Sequence, residues 1–258
     1  MIIDQFADGH IHTALCHHAT GSMEDFVVAA IKAKLKKICF LEHMEEGIKA
    51  DRITWLTESD FDTYFKEGKR LQKLYKNEID IELGVEVGFN PDHDKALLKR
   101  LSARNWDRVG LSYHFHKPAT YQEHLNLVSK RDSRLLNLNK EEAQRIEEEY
   151  YLNLIKAVRI IPATVLCHLD AVLRYHPLRQ DLEPPWHLIG ALLDSMKEYK
   201  IALEINTSGI AVRGEIFPAK KIVAMAIEKK IPLVAGSDAH KPEGVGYLFE
   251  KLDTLVMS

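Results

Sequence analysis

The sequence predicts an α/β fold in a single domain, a barrel of parallel strands flanked by helices. Short β-rich runs alternate with longer amphipathic segments from one end of the chain to the other. No linker rich in Pro, Gly or Ser interrupts the alternation, and every strand run gives way to histidine, an acid or a small polar residue. At 258 residues the chain can bury one sizeable core.

The first strand run covers residues 2–9 and exits on His10 and His12. A helix is predicted over 22–36, with Ser22 as N-cap, Asp25 at the third helical position, and Phe26, Ala29, Ala30 and Ala33 on one face. The second run, 37–41, exits on Glu42 and His43; a helix over 60–76 then leads to the third run, 79–85, which exits on Glu86. Pro91 opens a helix over 91–103 and Pro218 one over 218–229, because a missing N–H costs nothing in the first helical turn. The fourth run, 108–113, exits on His114 and His116. Residues 116–139 lack a periodic pattern, and so long a segment after a strand suits a lid or pocket wall. A helix over 140–159 follows, and its Glu141, Glu142, Glu147, Glu148 and Glu149 read as an exposed face. The fifth run, 164–167, exits on His168 and Asp170, and a helix over 186–199 precedes the sixth, 201–205, which exits on Asn206 and Ser208. The seventh, 232–236, exits on Asp238 and His240.

Composition narrows the function. Lys plus Arg is 35 against 38 Asp plus Glu, a formal charge of −3, so no global field favours a polyanion and no nucleic-acid partner is expected. The run Lys32, Lys34, Lys36 and Lys37 suits the solvated C-terminal end of a helix. No apolar stretch reaches the roughly eighteen residues of a membrane span, and Met1 to Asp4 lacks the start of a signal peptide, which predicts a soluble, cytoplasmic protein. Cys16, Cys39 and Cys167 form no CxxC pair, and the last two sit in apolar runs, so reduced core thiols are expected.

The thirteen histidines carry the chemistry. Parallel barrel strands deliver their last residues to one rim, so the polar exits should converge there. In His10-Ile11-His12, His168-Leu169-Asp170 and Asp238-Ala239-His240 the polar partners stand two apart, and strand alternation lets both face the pocket. Imidazole with carboxylate selects zinc, iron or manganese over calcium. One histidine at a strand end is an ordinary surface residue, but polar exits on all seven strands are poorly explained by accident. His93, His124 and His187 lie in helix or loop context and read as solvated; Cys16 reads as a small buried residue rather than a thiolate ligand.

These residues resemble those of the PHP family, named for polymerase and histidinol phosphatase, and within it the histidinol-phosphate phosphatases. The resemblance covers most of the chain. It rests on Asp8-Gly9-His10-Ile11-His12-Thr13 with Cys16-His17-His18, then Glu42-His43, Gly84-Val85-Glu86, Ser112-Tyr113-His114-Phe115, Cys167-His168-Leu169-Asp170, Glu204 to Gly209, and Gly236-Ser237-Asp238-Ala239-His240. It implies a distorted (β/α)7 barrel, TIM-like in plan, with three divalent transition-metal ions, Zn, Fe or Mn. One ion would sit on His10, His12, Glu86 and Asp238; Glu86 would bridge to a second on His114 and His168; a third would lie on His18, His43 and His240. His18 is favoured over His17 because the family's ligand lies six residues past the second histidine of the first motif.

The implied reaction is hydrolysis of a small phosphate monoester, with water activated by the metals attacking phosphorus in line. L-histidinol phosphate, an intermediate of histidine biosynthesis, is the leading substrate, ahead of sugar or nucleotide monoesters. Glu86 and Asp238 would serve catalysis as ligands. Arg174 is the candidate phosphate clamp, Asp170 and His176 are candidate proton donors to the leaving alkoxide, and His116 is an extra candidate near the second metal. An amidohydrolase-type C–N hydrolase also opens with His-x-His, but bridges its metals with a modified Lys where Glu86 stands here. A polymerase-associated exonuclease would call for a basic, aromatic groove that the sequence lacks. Residues 117–139 do not match the histidinol phosphatases and, following a strand end, should border the substrate, which leaves the leaving-group preference open.

Overall fold

The computed structural model describes residues 3–257, so residue 2 of the first predicted strand lies outside the described residues. Seven parallel strands form one sheet: β1 (Ala7–Ile11), β2 (Lys37–Met44), β3 (Asp80–Gly88), β4 (Val109–Ser112), β7 (Val165–Leu166), β8 (Ala202–Asn206) and β9 (Leu233–Gly236). Each pairs with the next in that order. The sheet curls until its outer strands nearly meet. A parallel bridge joins Ile11 to Ala239, and the His12 N–H donates to the Ala239 carbonyl at 2.9 Å. Buried Asp8 reinforces this seam, accepting from Ser237 N–H at 3.0 Å and Gly246 N–H at 2.9 Å.

The barrel interior is layered, as strand alternation requires. At its N-terminal end Lys37 pairs with Glu82 at 2.5 Å, and Arg108 lies 3.6 Å from the same carboxylate. Next comes an apolar plug of Cys39, Leu41, Val165 and Cys167. Gly84 and Gly110 face it, and a Cβ at either would come within 2.8 Å of Leu41. The layer above is polar, because the same parity carries Leu41 to His43 and Gly84 to Glu86, while His168 joins Glu86 there from just past the end of β7.

The flanking helices are α1 (Met23–Lys32), α2 (Glu58–Leu74), α3 (Asp94–Leu101), α5 (Lys140–Ile160), α6 (Trp186–Glu198) and α8 (Lys220–Glu228); α9 (Leu252–Met257) closes the described chain. Ser22 with Asp25, Thr57 with Asp60 and Asn139 with Glu142 form capping boxes at α1, α2 and α5. The buried face of α1 is Met23, Phe26, Val27 and Ala30, while Ala33 is exposed.

Several boundaries differ from expectation. β1, β2 and β3 run on through their polar exits, since the backbone ladder continues whatever the side chain: His43 sits in register with Glu86. Pro91 and Pro218 precede their helices, whose N-cap positions are His93 and Ala219. Lys37 is a strand residue rather than a helix end. Glu147 is fully buried, because α5 turns Ala143, Glu147, Tyr150 and Leu154 onto the core at helical spacing. Residues 116–139 hold more order than expected: β5 (Phe115–His116) pairs antiparallel with β6 (Leu125–Asn126), and α4 (Ser133–Leu136) follows. A short helix, α7 (Ser208–Arg213), adds to the predicted set. No described helix is long and apolar enough to cross a membrane.

Candidate metal centre

All nine expected ligands meet at the C-terminal rim. His10 Nε2 and His12 Nε2 stand 2.9 Å apart, and Glu86 Oε2 lies 3.4 Å from the first and 3.6 Å from the second. Asp238 Oδ1 stands 3.8 and 3.3 Å from the same two nitrogens. Donors about 2.0–2.2 Å from one four-coordinate ion stand roughly 3.3–3.6 Å apart, so these four atoms could share one. The other oxygen of Glu86 faces a second group, with His168 Nε2 at 2.8 Å and His114 Nε2 at 3.2 Å. His18 Nε2 and His240 Nε2 meet at 2.8 Å, beside the stacked rings of His12 and His43. His43 groups with His240, as expected, and with His12; its Nδ1 also lies 3.0 Å from Glu86, so it stands between the third group and the bridging carboxylate.

Outer partners set the imidazole tautomers. His10 Nδ1 bonds Glu204 at 2.7 Å and His114 Nδ1 bonds Glu45 at 2.9 Å. His18 Nδ1 donates to the Cys16 carbonyl at 2.8 Å, and His240 Nδ1 to the Asp238 carbonyl at 2.9 Å. A carbonyl only accepts, so both rings carry their proton on Nδ1 and their two Nε2 lone pairs face one another. Burial holds His18 and His240 to the neutral form, His240 being pushed down to about 3. Lone pairs at 2.8 Å repel unless a cation lies between them. Glu86 Oε2 is likewise buried with no hydrogen-bond donor. The donor set fits divalent transition metals, with carboxylate-oriented imidazoles around it.

The electrostatics agree. Burial opposes ionisation of Glu86, but the imidazoles of His114, His10 and His43 outweigh it and hold the carboxyl well below its ordinary range. Asp238 is held low in the same way by His12 and His10. Burial disfavours charge on His114, yet Glu86 and Glu45 raise it to about 10. Four carboxylates, Glu45, Glu86, Glu204 and Asp238, thus crowd the centre, and the positions that attract protons are those a metal would take.

A cavity of about 730 Å³ opens over the cluster, bounded by His18, His43, His114, His168, Asp238 and His240 on its floor. Arg174 lines it as expected, anchored by Nε to the Val128 carbonyl at 3.2 Å and lying over the Tyr175 ring at 5.3 Å. Asp170 does not fit its expected role as proton donor. Its carboxylate is tied to Arg213 at 3.0 Å and accepts the N–H of Ala219, just before α8, at 2.9 Å, and it does not line the cavity. His176 faces the Leu138 carbonyl at 3.2 Å, also away from it. His116 turns from the centre to Glu149 at 2.6 Å and to Tyr113 at 2.9 Å. His17 is exposed, with φ of 63°, and its ring joins none of the ligand groups, which favours His18. His124, expected to be solvated, is buried and lines the cavity. Sequence reasoning gave Glu204 and Glu45 no role. Glu204 could have been found from its parity with Asn206, an acid inside a buried apolar strand.

Comparison with known proteins follows the same lines. The family profile for the PHP domain matches residues 8–208, and a PHP-associated profile matches 220–254. A Deinococcus radiodurans protein named "Probable histidinol-phosphatase" is 31% identical, over 94% of this chain and 89% of its own. The histidinol-phosphatase of Bacillus subtilis is 27% identical over 95% and 97%. Among solved structures, the histidinol phosphate phosphatase of Lactococcus lactis, in complex with zinc, L-histidinol and phosphate, superposes with a TM-score of 0.77 at 22% identity, covering 98% of this chain and 93% of that one.

Proposed function

The chain belongs to the PHP domain family, and from that premise we propose that it is a metal-dependent phosphomonoesterase that hydrolyses L-histidinol phosphate. The observation that carries this reading is Glu86, whose two oxygens face different histidine groups beneath one cavity. Its relatives bear histidinol-phosphatase names over nearly their full lengths.

Three divalent ions of Zn, Fe or Mn would be held by His10, His12, Glu86 and Asp238; by Glu86, His114 and His168; and by His18, His240 and His43. When bound, they polarise phosphoryl oxygens and acidify water. The remaining work falls to this chain's residues. Glu204 and Glu45 fix the His10 and His114 rings with Nε2 towards the centre. Arg174 would hold a phosphoryl oxygen, its Nη atoms left free by the anchor at Nε. We take residues 1–258 as one domain, since β9 from the PHP-associated segment pairs with β8 and completes the barrel.

The test combines metal analysis with a substrate panel. Two to three transition-metal ions per chain are expected, with kcat/KM for L-histidinol phosphate well above that for p-nitrophenyl phosphate and no amide hydrolysis. At most one metal after reconstitution would refute the trinuclear centre; equal rates on the two esters would refute the substrate.

A further inference from the structure

We propose that His124 is a specificity residue that donates a hydrogen bond from Nε2 to an acceptor on the leaving group of the phosphate ester. This deepens the phosphatase reading and rests on it. The chemical class is an alcohol bearing a neutral hydrogen-bond acceptor; in L-histidinol phosphate, the unprotonated ring nitrogen qualifies.

The argument starts from the tautomer. His124 Nδ1 accepts the backbone N–H of Lys49 at 3.1 Å, and a backbone amide can only donate. The neutral ring must therefore carry its proton on Nε2. Burial and nearby Lys117 lower its basicity, so the ring stays neutral. Its main chain is equally committed: its N–H donates to the Lys49 carbonyl at 2.9 Å, and its carbonyl accepts from Arg134 Nη2 at 3.1 Å. Among the described residues no protein group accepts from Nε2, although the residue is only 6% exposed. The Nε2–H is therefore the polar group that this ring offers to the cavity it lines.

The surroundings keep that donor in place. Arg134 is fixed by Glu123 at 2.8 Å and Asp132 at 3.1 Å, and Asp132 accepts the Asn126 N–H at 3.1 Å. The β5–β6 hairpin is thus locked to the 45–55 loop through His124, and a preorganised donor discriminates better than a mobile one.

The experiment measures kcat/KM, by phosphate release, for L-histidinol phosphate and for phenyl phosphate, whose ring has no acceptor. Wild type, His124→Phe and His124→Asn are compared above pH 7.5, with metal content and Tm recorded. Asn can still accept the Lys49 N–H but is too short to replace the Nε2 donor, so it serves if Phe loosens the hairpin. The ratio of the two kcat/KM values is expected to fall about ten-fold or more in each variant, chiefly through KM, at unchanged metal content. Equal losses on both esters, or loss of metal with activity, would overturn the proposal, because His124 would then act through the centre or the fold. Wild-type enzyme that hydrolyses neither ester overturns the phosphatase reading as well; hydrolysis of both with an unmoved ratio overturns this inference alone.

Discussion

Glu86 is the side chain on which His10, His12, His43, His114 and His168 converge. Replacing it with Gln keeps the shape but removes the charge that attracts His10, His43 and His114. If it bridges two ions, kcat of Glu86→Gln should fall by about three orders of magnitude, equivalent to some 4 kcal/mol of barrier. The check is a paired measurement of kcat and metal content under identical metal supply; a variant that keeps its metals and a tenth of its kcat excludes the bridging role. The convergence of these residues on one rim was legible because each stands at a strand exit; parity added to position in His10-Ile11-His12 and Asp238-Ala239-His240 but failed for Asp170, which turns to Arg213 while His168 faces the cavity. Glu45 escaped because its partner, His114, comes from a strand two places along the sheet. His124 escaped because its hold on Lys49 is a loop pairing without periodicity.

At the scale of elements, α5 shows how burial changes a charge. Its Glu147 is fully buried, lies 3.1 Å from Arg179, and is raised to about 7, first by burial and against the pull of that guanidinium. A carboxyl with a folded-state pKa above its unfolded value of about 4.5 binds protons better when folded. Its contribution to stability is full below pH 4.5 and is lost as pH rises towards 7. Glu147→Gln should therefore gain on wild type between pH 5 and pH 8, by up to about 3 kcal/mol, since each tenfold difference in proton affinity is worth about 1.4 kcal/mol. Denaturant melts at the two pH values check this, and a stability difference that does not move with pH counts against it. Helical periodicity alone placed Glu147 on the face of Ala143 and Tyr150; reading the acids as a solvated group obscured that. The proline starts failed for another reason, since a proline suited to a first turn is equally at home in the loop before it. Strand order was recoverable, whereas the β5–β6 hairpin was not, because two-residue strands leave no pattern to find.

The whole molecule closes at a weak point. Among the described residues one ladder bridge, beside the Asp8 contacts, joins β1 to the turn after β9, yet His10, His12, Asp238 and His240 gather across that gap. Ions held there would tie the two edges together, so metal removal should loosen this seam before the long β2–β3 ladder. Chelated protein is expected to lose about 4 kcal/mol relative to protein at a thousand-fold excess of metal over Kd, with faster hydrogen exchange in β1 and β9. Uniform exchange across all seven strands, or an unchanged Tm, would show that closure does not depend on the ions. The same arrangement bears on the protein's birth. A chain growing from its N-terminus displays His10, His12 and Glu86 well before Asp238 and His240 emerge. Until then the early residues would form an open, partial nest able to capture an ion of the wrong kind, and Asp238 and His240 would complete both the coordination and the cylinder. If metals bind as proposed, their selection would wait on the arrival of β9 and would depend on what the cell supplies at that moment.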